Sequence, residues 1–405
     1  MKTTRYTYSK LFKDIYTFRG FKYTSIEKLS DQIHITLKRT WKRGICKNCG
    51  KRTRLLKESY QRTLRDLDLG PLTCYLTFKE HKLKCSCGYR GFETISFTRP
   101  YARCTIRYEK YIIRLTERMT ISDVSMVTGL DWKTVKDIDK YYIKKRLVGL
   151  QGITPERLGV DEVAYEKGHK YLTVVRDLDL NRVIWIGIGR KKQTLDAFFS
   201  LLSIHKQRGI QVVVLDMWDP YIASVKQFCP LADIVFDKFH IIKKVNEAVD
   251  RLRKQEFARA DDEERLMMKR KRFIILKRGK NLTEEQQEKL KDIMENNEQL
   301  YKAYLLKEQI SDIFDTESYP AAMQRIERWK ENVNTSEITQ FNTVLKTFKR
   351  YAYGIQNYFI HHLTNAGSEG FNTKINIIRR KAYGFWDLDY FMLKIFQACG
   401  VMRID

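Results

Sequence analysis

Asp161, Asp216 and Glu369 are the residues of this sequence best suited to chemistry. Leu158-Gly159-Val160 leads into Asp161, and Val212-Val213-Val214-Leu215 leads into Asp216. Short apolar runs rich in β-branched residues read as buried strands. A carboxylate at the carboxyl end of such a strand points into a ligand crevice. Glu369 sits in Asn365-Ala366-Gly367-Ser368-Glu369-Gly370, at the start of an amphipathic basic helix. Along it, Glu369, Asn372, Asn376 and Arg379 recur at helical spacing and line one face, while Phe371, Ile375 and Ile378 line another that suits packing on a sheet. Two strand-end aspartates and a distant helical glutamate suit a divalent-metal site that cuts nucleic acid. Such chemistry needs carboxylates that hold two ions roughly 3.5–4 Å apart, and Mg²⁺ favours an all-oxygen ligand set. Glu162 competes with Asp161 for this role, and Asp219 and Asp237 compete with Asp216. The plainer alternative is that these acids are helix caps or loop residues.

A second constellation suits structure rather than catalysis. Cys46-Lys47-Asn48-Cys49-Gly50 and Cys85-Ser86-Cys87-Gly88 are separated by strand-like stretches at 64–69 and 72–78. Two cysteine knuckles joined by strands make a zinc ribbon, four thiolates closing a tetrahedral Zn²⁺ site. The second pair is tighter than usual, so His81 is an alternative ligand, and free thiols are the simpler reading. Cys74, Cys104, Cys229 and Cys399 stand alone and read as ordinary buried thiols.

The elements that must position these groups follow from the rest of the 405 residues, enough for two or three domains. Residues 1–40 carry strand character. Residues 108–119, 121–128 and 132–145 read as three helices, with Thr120 and Asp131 as caps. Ile121, Val124, Leu130, Val135 and Ile138 fall where a helix-turn-helix packs. That leaves Trp132, Lys133, Lys136 and Lys140 to face DNA, unless the segment is an ordinary helical hairpin. From 157 the pattern changes to strands at 158–163, 171–176, 183–189, 212–216 and 234–236. The first three are close enough for an antiparallel meander. The last two follow helical stretches at 194–205 and 221–228, which implies parallel addition to the sheet. This order is that of an RNase H-like core. From 241 to about 358 the chain reads as charged helices, among them 246–260, 284–298 and 322–330, too long a stretch for a structureless loop.

Charge narrows the partner. The net charge is +27, and residues 1–150 hold 34 basic against 14 acidic residues, so most of the excess lies there. Lys and Arg release counterions from phosphate backbones, which points to a polyanion. No apolar run approaches membrane-spanning length. No leader pattern opens the sequence, and the eight cysteines do not suggest a disulfide framework.

Beyond these derivations, the chain resembles DDE-type transposases of the ISL-three insertion-sequence family. The matching stretches are Val160-Asp161-Glu162, Asp216-Met217-Trp218-Asp219-Pro220-Tyr221, Asp237-Lys238-Phe239-His240, and 365–370 followed by Asn372, Lys374, Ile375, Ile378 and Arg379-Arg380. The resemblance covers essentially the whole chain. It implies that Asp161, Asp216 and Glu369 are the catalytic triad, with Mg²⁺ or Mn²⁺ as cofactor. It also implies that His240, Asp237, Arg190 and Asn372 support the site, and that Arg379 and Arg380 join the helix-turn-helix residues in holding DNA.

The expected architecture is multidomain α+β. A zinc-binding domain spans 1–104, a helix-turn-helix 105–150, and an RNase H-like core 151–245 and 361–405, interrupted by a helical insertion at 246–360. The expected protein is a cytoplasmic, nucleoid-associated transposase with no membrane partner. It would bind double-stranded DNA at terminal inverted repeats and at a target, and would work as a homodimer or higher oligomer. An RNase H-like nuclease or resolvase without strand transfer is one alternative. A DNA-binding regulator with a decayed core is another.

Overall fold

The computed structural model describes residues 17–166 and 168–403. The chain forms two compact units, Met1–Lys145 and Arg146–Asp405. No helix among the described residues is long and apolar enough to cross a membrane.

The first unit opens with six strands: β1 (Phe21–Leu29), β2 (Gln32–Arg39), β3 (Arg43–Ile45), β4 (Arg52–Leu69), β5 (Leu72–Lys84) and β6 (Arg90–Phe92). The sheet order is β1-β2-β5-β4-β3, with β6 on β5. β4 and β5 form a long hairpin whose closing pair is Leu69–Leu72. Gly70 (φ 62°) takes the first central position of that turn, where a left-handed backbone matches the twist of the flanking strands. Ile33, Ile35 and Leu37 alternate along β2 and pack with Leu64, Leu76 and Phe78. The strand character expected over residues 1–40 is thus part of the same sheet as the cysteine hairpin, from residue 21 on. Residues 1–16 lie outside the described residues.

Three helices complete this unit: α1 (Ile106–Thr116), α2 (Ile121–Thr128) and α3 (Trp132–Arg146). The first starts two residues earlier than its apolar pattern suggests, because the Thr105 side chain accepts from the Tyr108 amide as N-cap. Thr120 and Asp123 form a reciprocal capping box on α2. Gly129 (φ 67°) ends α2, and Asp131 accepts from the Lys133 and Thr134 amides at 3.0 and 3.2 Å. Ile121, Val124, Leu130, Val135 and Ile138 all join one apolar cluster with Tyr108 and Ile112.

The second unit is built on a five-stranded sheet: β7 (Arg157–Glu166), β8 (Lys170–Asp177), β9 (Arg182–Ile188), β10 (Val212–Leu215) and β11 (Asp233–Phe236), in the order β11-β10-β7-β8-β9. β7, β8 and β9 pair antiparallel, and β10 runs parallel to both β7 and β11. The helix expected at 194–205 is two helices, α4 (Lys192–Ser200) and α5 (Ile204–Gly209). Ser203 breaks it by capping the Lys206 amide. α6 (Asp219–Phe228) connects β10 to β11.

A helical block follows β11. It comprises α7 (Lys238–Arg259), α8 (Asp262–Met268), α9 (Arg272–Leu276), α10 (Glu284–Asn296), α11 (Glu298–Phe314), α12 (Tyr319–Thr335), α13 (Asn342–Arg350) and α14 (Ala352–His361). α7 begins well before the expected 246 because Asp237 caps it. Asn297 divides the stretch expected as 284–298, capping α11 through a 2.8 Å bond from the Leu300 amide. The final helices are α15 (Ala366–Lys381) and α16 (Leu388–Cys399).

Alternation along β7 decides what faces what. Leu158 and Val160 enter a large core with Phe198, Phe199 and Val225 of α4 and α6 and with the helical block. Val163 enters a second core on the opposite side, with Phe371 and Ile375 of α15 and Phe391 and Ile395 of α16. Asp161, an even number of residues from Val163, lies on the α15 side.

Candidate active site

Strand register brings the aspartates together. β10 pairs Val214 with Gly159 of β7, and Leu215 with Phe236 of β11. Extending each pairing to the strand end aligns Asp216 with Asp161 on one side and Asp237 on the other. Neighbouring strands lie about 4.8 Å apart, so three carboxylates form a row at the carboxyl ends of β10 and β11 and the middle of β7. This is the crevice position that open α/β sheets use for ligands.

Electrostatics at this row matches its crowding. Burial pushes the Asp161 carboxyl above its ordinary range, and the negative Asp216 adds to the effect. The Glu162 amide, Asn372 and Ser368 pull it partly back. The Glu162 amide donates to Asp161 Oδ1 at 2.8 Å and Asn372 Nδ2 to Oδ2 at 2.9 Å. Burial also raises Asp237, whose carboxylate accepts from the Phe239 amide at 3.1 Å. His240, in the first turn of α7, places Nε2 3.0 Å from Asp216 Oδ1. That contact raises the imidazole pKa, against the opposing pull of burial. Asp216 Oδ1 thus has the His240 ring as its neighbour, whereas Glu162 Oε2 is buried with no hydrogen-bond partner among the described residues. A buried carboxylate oxygen without a donor is costly, and a cation is one chemical species that can satisfy it.

Glu369 reaches this neighbourhood through α15. It is exposed in the first turn of the helix, one turn before Asn372 and on the same face. Among the described residues, the group of three or more His, Cys, Asp or Glu ligand atoms lying within 4.8 Å of one another is Cys46, Cys49, Cys85 and Cys87, so neither the carboxylate row with His240 nor Glu369 forms so tight a cluster. Strand register aligns Asp161, Asp216 and Asp237, Asn372 is joined to Asp161 and His240 to Asp216, and Glu369 stands one helical turn before Asn372. The amphipathic assignment of α15 agrees with its packing, since Phe371 and Ile375 are buried and Ile378 is partly so.

Three residues that sequence reasoning did not single out for this site anchor α15. Arg176 of β8 is 2% exposed. Its Nη2 donates to Asn365 Oδ1 and, at 2.9 Å, to Ser368 Oγ. Asn365 Nδ2 donates in turn to the Val160 carbonyl at 3.2 Å. Asn365 occupies the N-cap position of α15 but makes no capping bond. Its amide is used to tie helix to sheet instead. Two glycines make room. A Cβ at Gly367 would lie 2.5 Å from Arg176 Nη1, and one at Gly159 would lie 2.8 Å from Asn365 Oδ1. The available signal was an arginine closing the β-branched run Leu172-Thr173-Val174-Val175-Arg176.

The remaining expected residues are placed as follows. Arg190 lies between the rings of Tyr171 and Trp218, at 4.2 and 5.2 Å from their centroids, and its Nη1 is 3.4 Å from Glu162 Oε1. Arg379 donates to the Ala164 carbonyl at 3.0 Å, and Arg380 is exposed. Asp219 pairs with Arg350 and accepts from the Tyr351 hydroxyl at 3.0 Å, so its carboxylate is committed to α13 and the residue after it. In the first unit, Trp132 and Lys133 are exposed at the start of α3, while Lys136 and Lys140 are half-buried. Lys136 Nζ sits 5.0 Å above the Trp132 ring.

The sulfur atoms of Cys46, Cys49, Cys85 and Cys87 all lie within 4.8 Å of one another. Two of the separations, Cys46–Cys87 and Cys49–Cys85, are 3.7 and 3.5 Å. Tetrahedral Zn²⁺ with bonds of about 2.3 Å separates its sulfurs by roughly 3.8 Å, so this is a Cys₄ zinc site. The Cys87 amide, then Thr53, draws the Cys85 thiol down to about 6, while, against the lowering pull of Lys51, hydrogen bonds with the other cysteines push Cys49 up to about 11. His81, the alternative fourth ligand, is not part of the cluster, because the tight Cys85–Cys87 spacing itself supplies both sulfurs.

Comparison with known proteins agrees with this layout. A transposase family model matches residues 158–395. A model for the helix-turn-helix domain of transposase family ISL3 matches 93–143. A model for the zinc finger of the transposases of IS204, IS1001, IS1096 and IS1165 matches 42–87. The transposase for insertion sequence element IS1001 of Bordetella parapertussis is 31% identical over 396 residues, covering 96% of this chain and 98% of that protein. The transposase for insertion sequence element IS1557 of Mycobacterium tuberculosis is 27% identical over 367 residues, covering 84% of this chain and 82% of that protein. A zinc ribbon, a helix-turn-helix and a transposase core in one chain define a DNA transposase. The chain belongs to the ISL3 family of DDE transposases.

Proposed function

We propose that this transposase cleaves DNA at the ends of an insertion sequence and joins the freed 3′ ends to a target, with Asp161, Asp216 and Glu369 as its three catalytic carboxylates. The observation that carries this reading is the register that aligns Asp216 with Asp161, two half-buried carboxylates of like charge on neighbouring strands. These carboxylates, with Glu369 from α15, would hold Mg²⁺ or Mn²⁺. When bound, such ions lower the pKa of water and neutralise charge on the attacking and leaving oxygens.

The protein's own groups have definable parts. Asn372 and the Glu162 amide fix both oxygens of Asp161. His240 orients Asp216, and Asp237 holds the start of α7 that carries His240. The clip of Arg176, Asn365 and Ser368 sets where Glu369 projects. In the first reaction a water oxygen bonds to phosphorus as the bond to the 3′ oxygen breaks, leaving a 3′ hydroxyl and a 5′ phosphate. In the second, that 3′ hydroxyl oxygen bonds to a target phosphorus, and the target's 3′ oxygen leaves with the proton.

Within this reading the second unit is an RNase H-like core, 151–245 and 361–405, interrupted by a helical insertion at 246–360. The antiparallel β7-β8-β9 meander extended by parallel β10 and β11 supports that description. The zinc ribbon (1–104) and helix-turn-helix (105–150) would recognise terminal inverted repeats, through Trp132, Lys133, Lys136 and Lys140. Arg379 and Arg380 would hold DNA near the site. Pairing two ends calls for a dimer or higher oligomer, acting at the nucleoid.

The test is incubation of the protein with labelled duplexes carrying the element's own flanking repeats and Mg²⁺ or Mn²⁺. A nick at the repeat boundary followed by joining to target, both absent in Glu369→Gln, is expected. Binding without cleavage by the wild type in either metal would refute the reading.

A further inference from the structure

Beside the carboxylate row, on the α4 side of the sheet, lies a cavity of about 790 Å³. One wall is aromatic, with His169, Tyr171 and Trp218, and the other is polar and cationic, with Arg190, Lys191 and Thr194. Trp218 is two residues past Asp216 and 40% exposed, an unusual degree for a tryptophan that a fold needs only for packing. Its ring is held in place: Nε1 donates to the Arg190 carbonyl at 3.1 Å, and the Arg190 guanidinium stacks against it. Arg190 is fixed in turn by Tyr171 and by Glu162, the neighbour of Asp161. Lys191 is exposed and makes no ion pair among the described residues. A rigid aromatic face beside unused positive charge is the pairing that proteins use for single-stranded nucleic acid, stacking a base and neutralising its phosphate.

We infer that this cavity takes one unpaired nucleotide of the DNA strand next to the scissile phosphate, its base stacked on Trp218 and its phosphate held by Arg190 and Lys191. The inference rests on the proposed DNA cleavage at the Asp161–Asp216 site, and adds that the duplex is locally opened there. Taking a base out of the stack is unfavourable, and a stacking platform offsets that cost.

Two measurements on the full-length protein test this. The first is fluorescence anisotropy with fluorescein-labelled dT8 and, separately, a 20-bp duplex. Trp218→Ala is expected to weaken dT8 binding roughly 5- to 150-fold, the range of one stacked base, with duplex binding unchanged. Trp218→Phe, which keeps an aromatic face, should stay within about threefold of wild type. The second is cleavage of terminal-repeat duplexes, either intact or with abasic nucleotides opposite and beside the boundary. Trp218→Ala is expected to lose cleavage on intact DNA and recover on the pre-opened substrate. Equal loss on both substrates, or dT8 binding by Trp218→Ala equal to wild type, would overturn the inference. Failure of the wild type to cleave either substrate would defeat the cleavage reading alone, and dT8 binding would still decide the subsite.

Discussion

Replacing Arg176 by alanine should separate α15 from the sheet that carries Asp161. The change removes two charge-assisted hydrogen bonds, to Asn365 and Ser368, and the stacking of the guanidinium on Phe371 at 4.9 Å. Hydrogen bonds to charged groups contribute about 1.5–3 kcal/mol each. Against this, burial of the guanidinium is itself unfavourable, which is why its pKa is pulled down. The net loss should be about 2–4 kcal/mol, because the freed amide of Asn365 and hydroxyl of Ser368 stay buried without their partner. For a unit of this size 1 kcal/mol shifts Tm by about 2–4 °C, so the second unit should melt roughly 5–15 °C lower. Differential scanning calorimetry would read this, with the melting of the first unit as an internal control. DNA cleavage should fall below detection at temperatures where the variant is still folded, while repeat binding persists. Gly367→Ala should reproduce the effect, since its Cβ would meet Arg176 Nη1 at 2.5 Å. A Tm within about 2 °C of wild type and full cleavage activity for Arg176→Ala would refute the account of the clip.

Three further outcomes are expected. Metal analysis should find one zinc per chain, and Cys85→Ser or strong chelation should release it and unfold the first unit, followed by circular dichroism; retention of zinc by the variant would exclude the Cys₄ assignment. Lys133→Ala should weaken repeat binding and reduce the slope of log K against log salt by about 1, whereas an unchanged slope would remove Lys133 from the interface. Asn372→Ala should raise the Mg²⁺ concentration needed for half-maximal cleavage about 10- to 100-fold, as loss of a residue that orients a metal ligand does. An unchanged Mg²⁺ requirement would show that the bond to Asp161 is incidental.

The strands and caps of this protein were legible because local rules and tertiary structure agree there. The apolar run leading into Asp161 marked β7, and Thr120 and Asp131 marked the starts of α2 and α3. The apolar stripe Phe371-Ile375-Ile378 marked the buried face of α15. What was hidden depended on long-range pairing. Nothing in the sequence around Asn365 reveals that its side chain forgoes the helix cap to reach Arg176, 189 positions away. Nor does the apolar run before Asp216 reveal that it lands between Asp161 and Asp237, because strand order is set by crossovers and not by local pattern. The zinc site fell between these cases: the knuckles were visible, but the choice of Cys87 over His81 required the β4–β5 register. Sites are where such local exceptions concentrate.

Metal rescue tests the central claim most directly. Asp161→Cys, Asp216→Cys and Glu369→Cys each exchange an oxygen ligand for a softer sulfur, which disfavours Mg²⁺ and tolerates Mn²⁺. Cleavage of terminal-repeat duplexes by each variant would be compared in the two metals. The account predicts no cleavage in Mg²⁺ and partial recovery in Mn²⁺ for all three. Cleavage in Mg²⁺ at the wild-type rate by any one of them would contradict its assignment as a metal ligand.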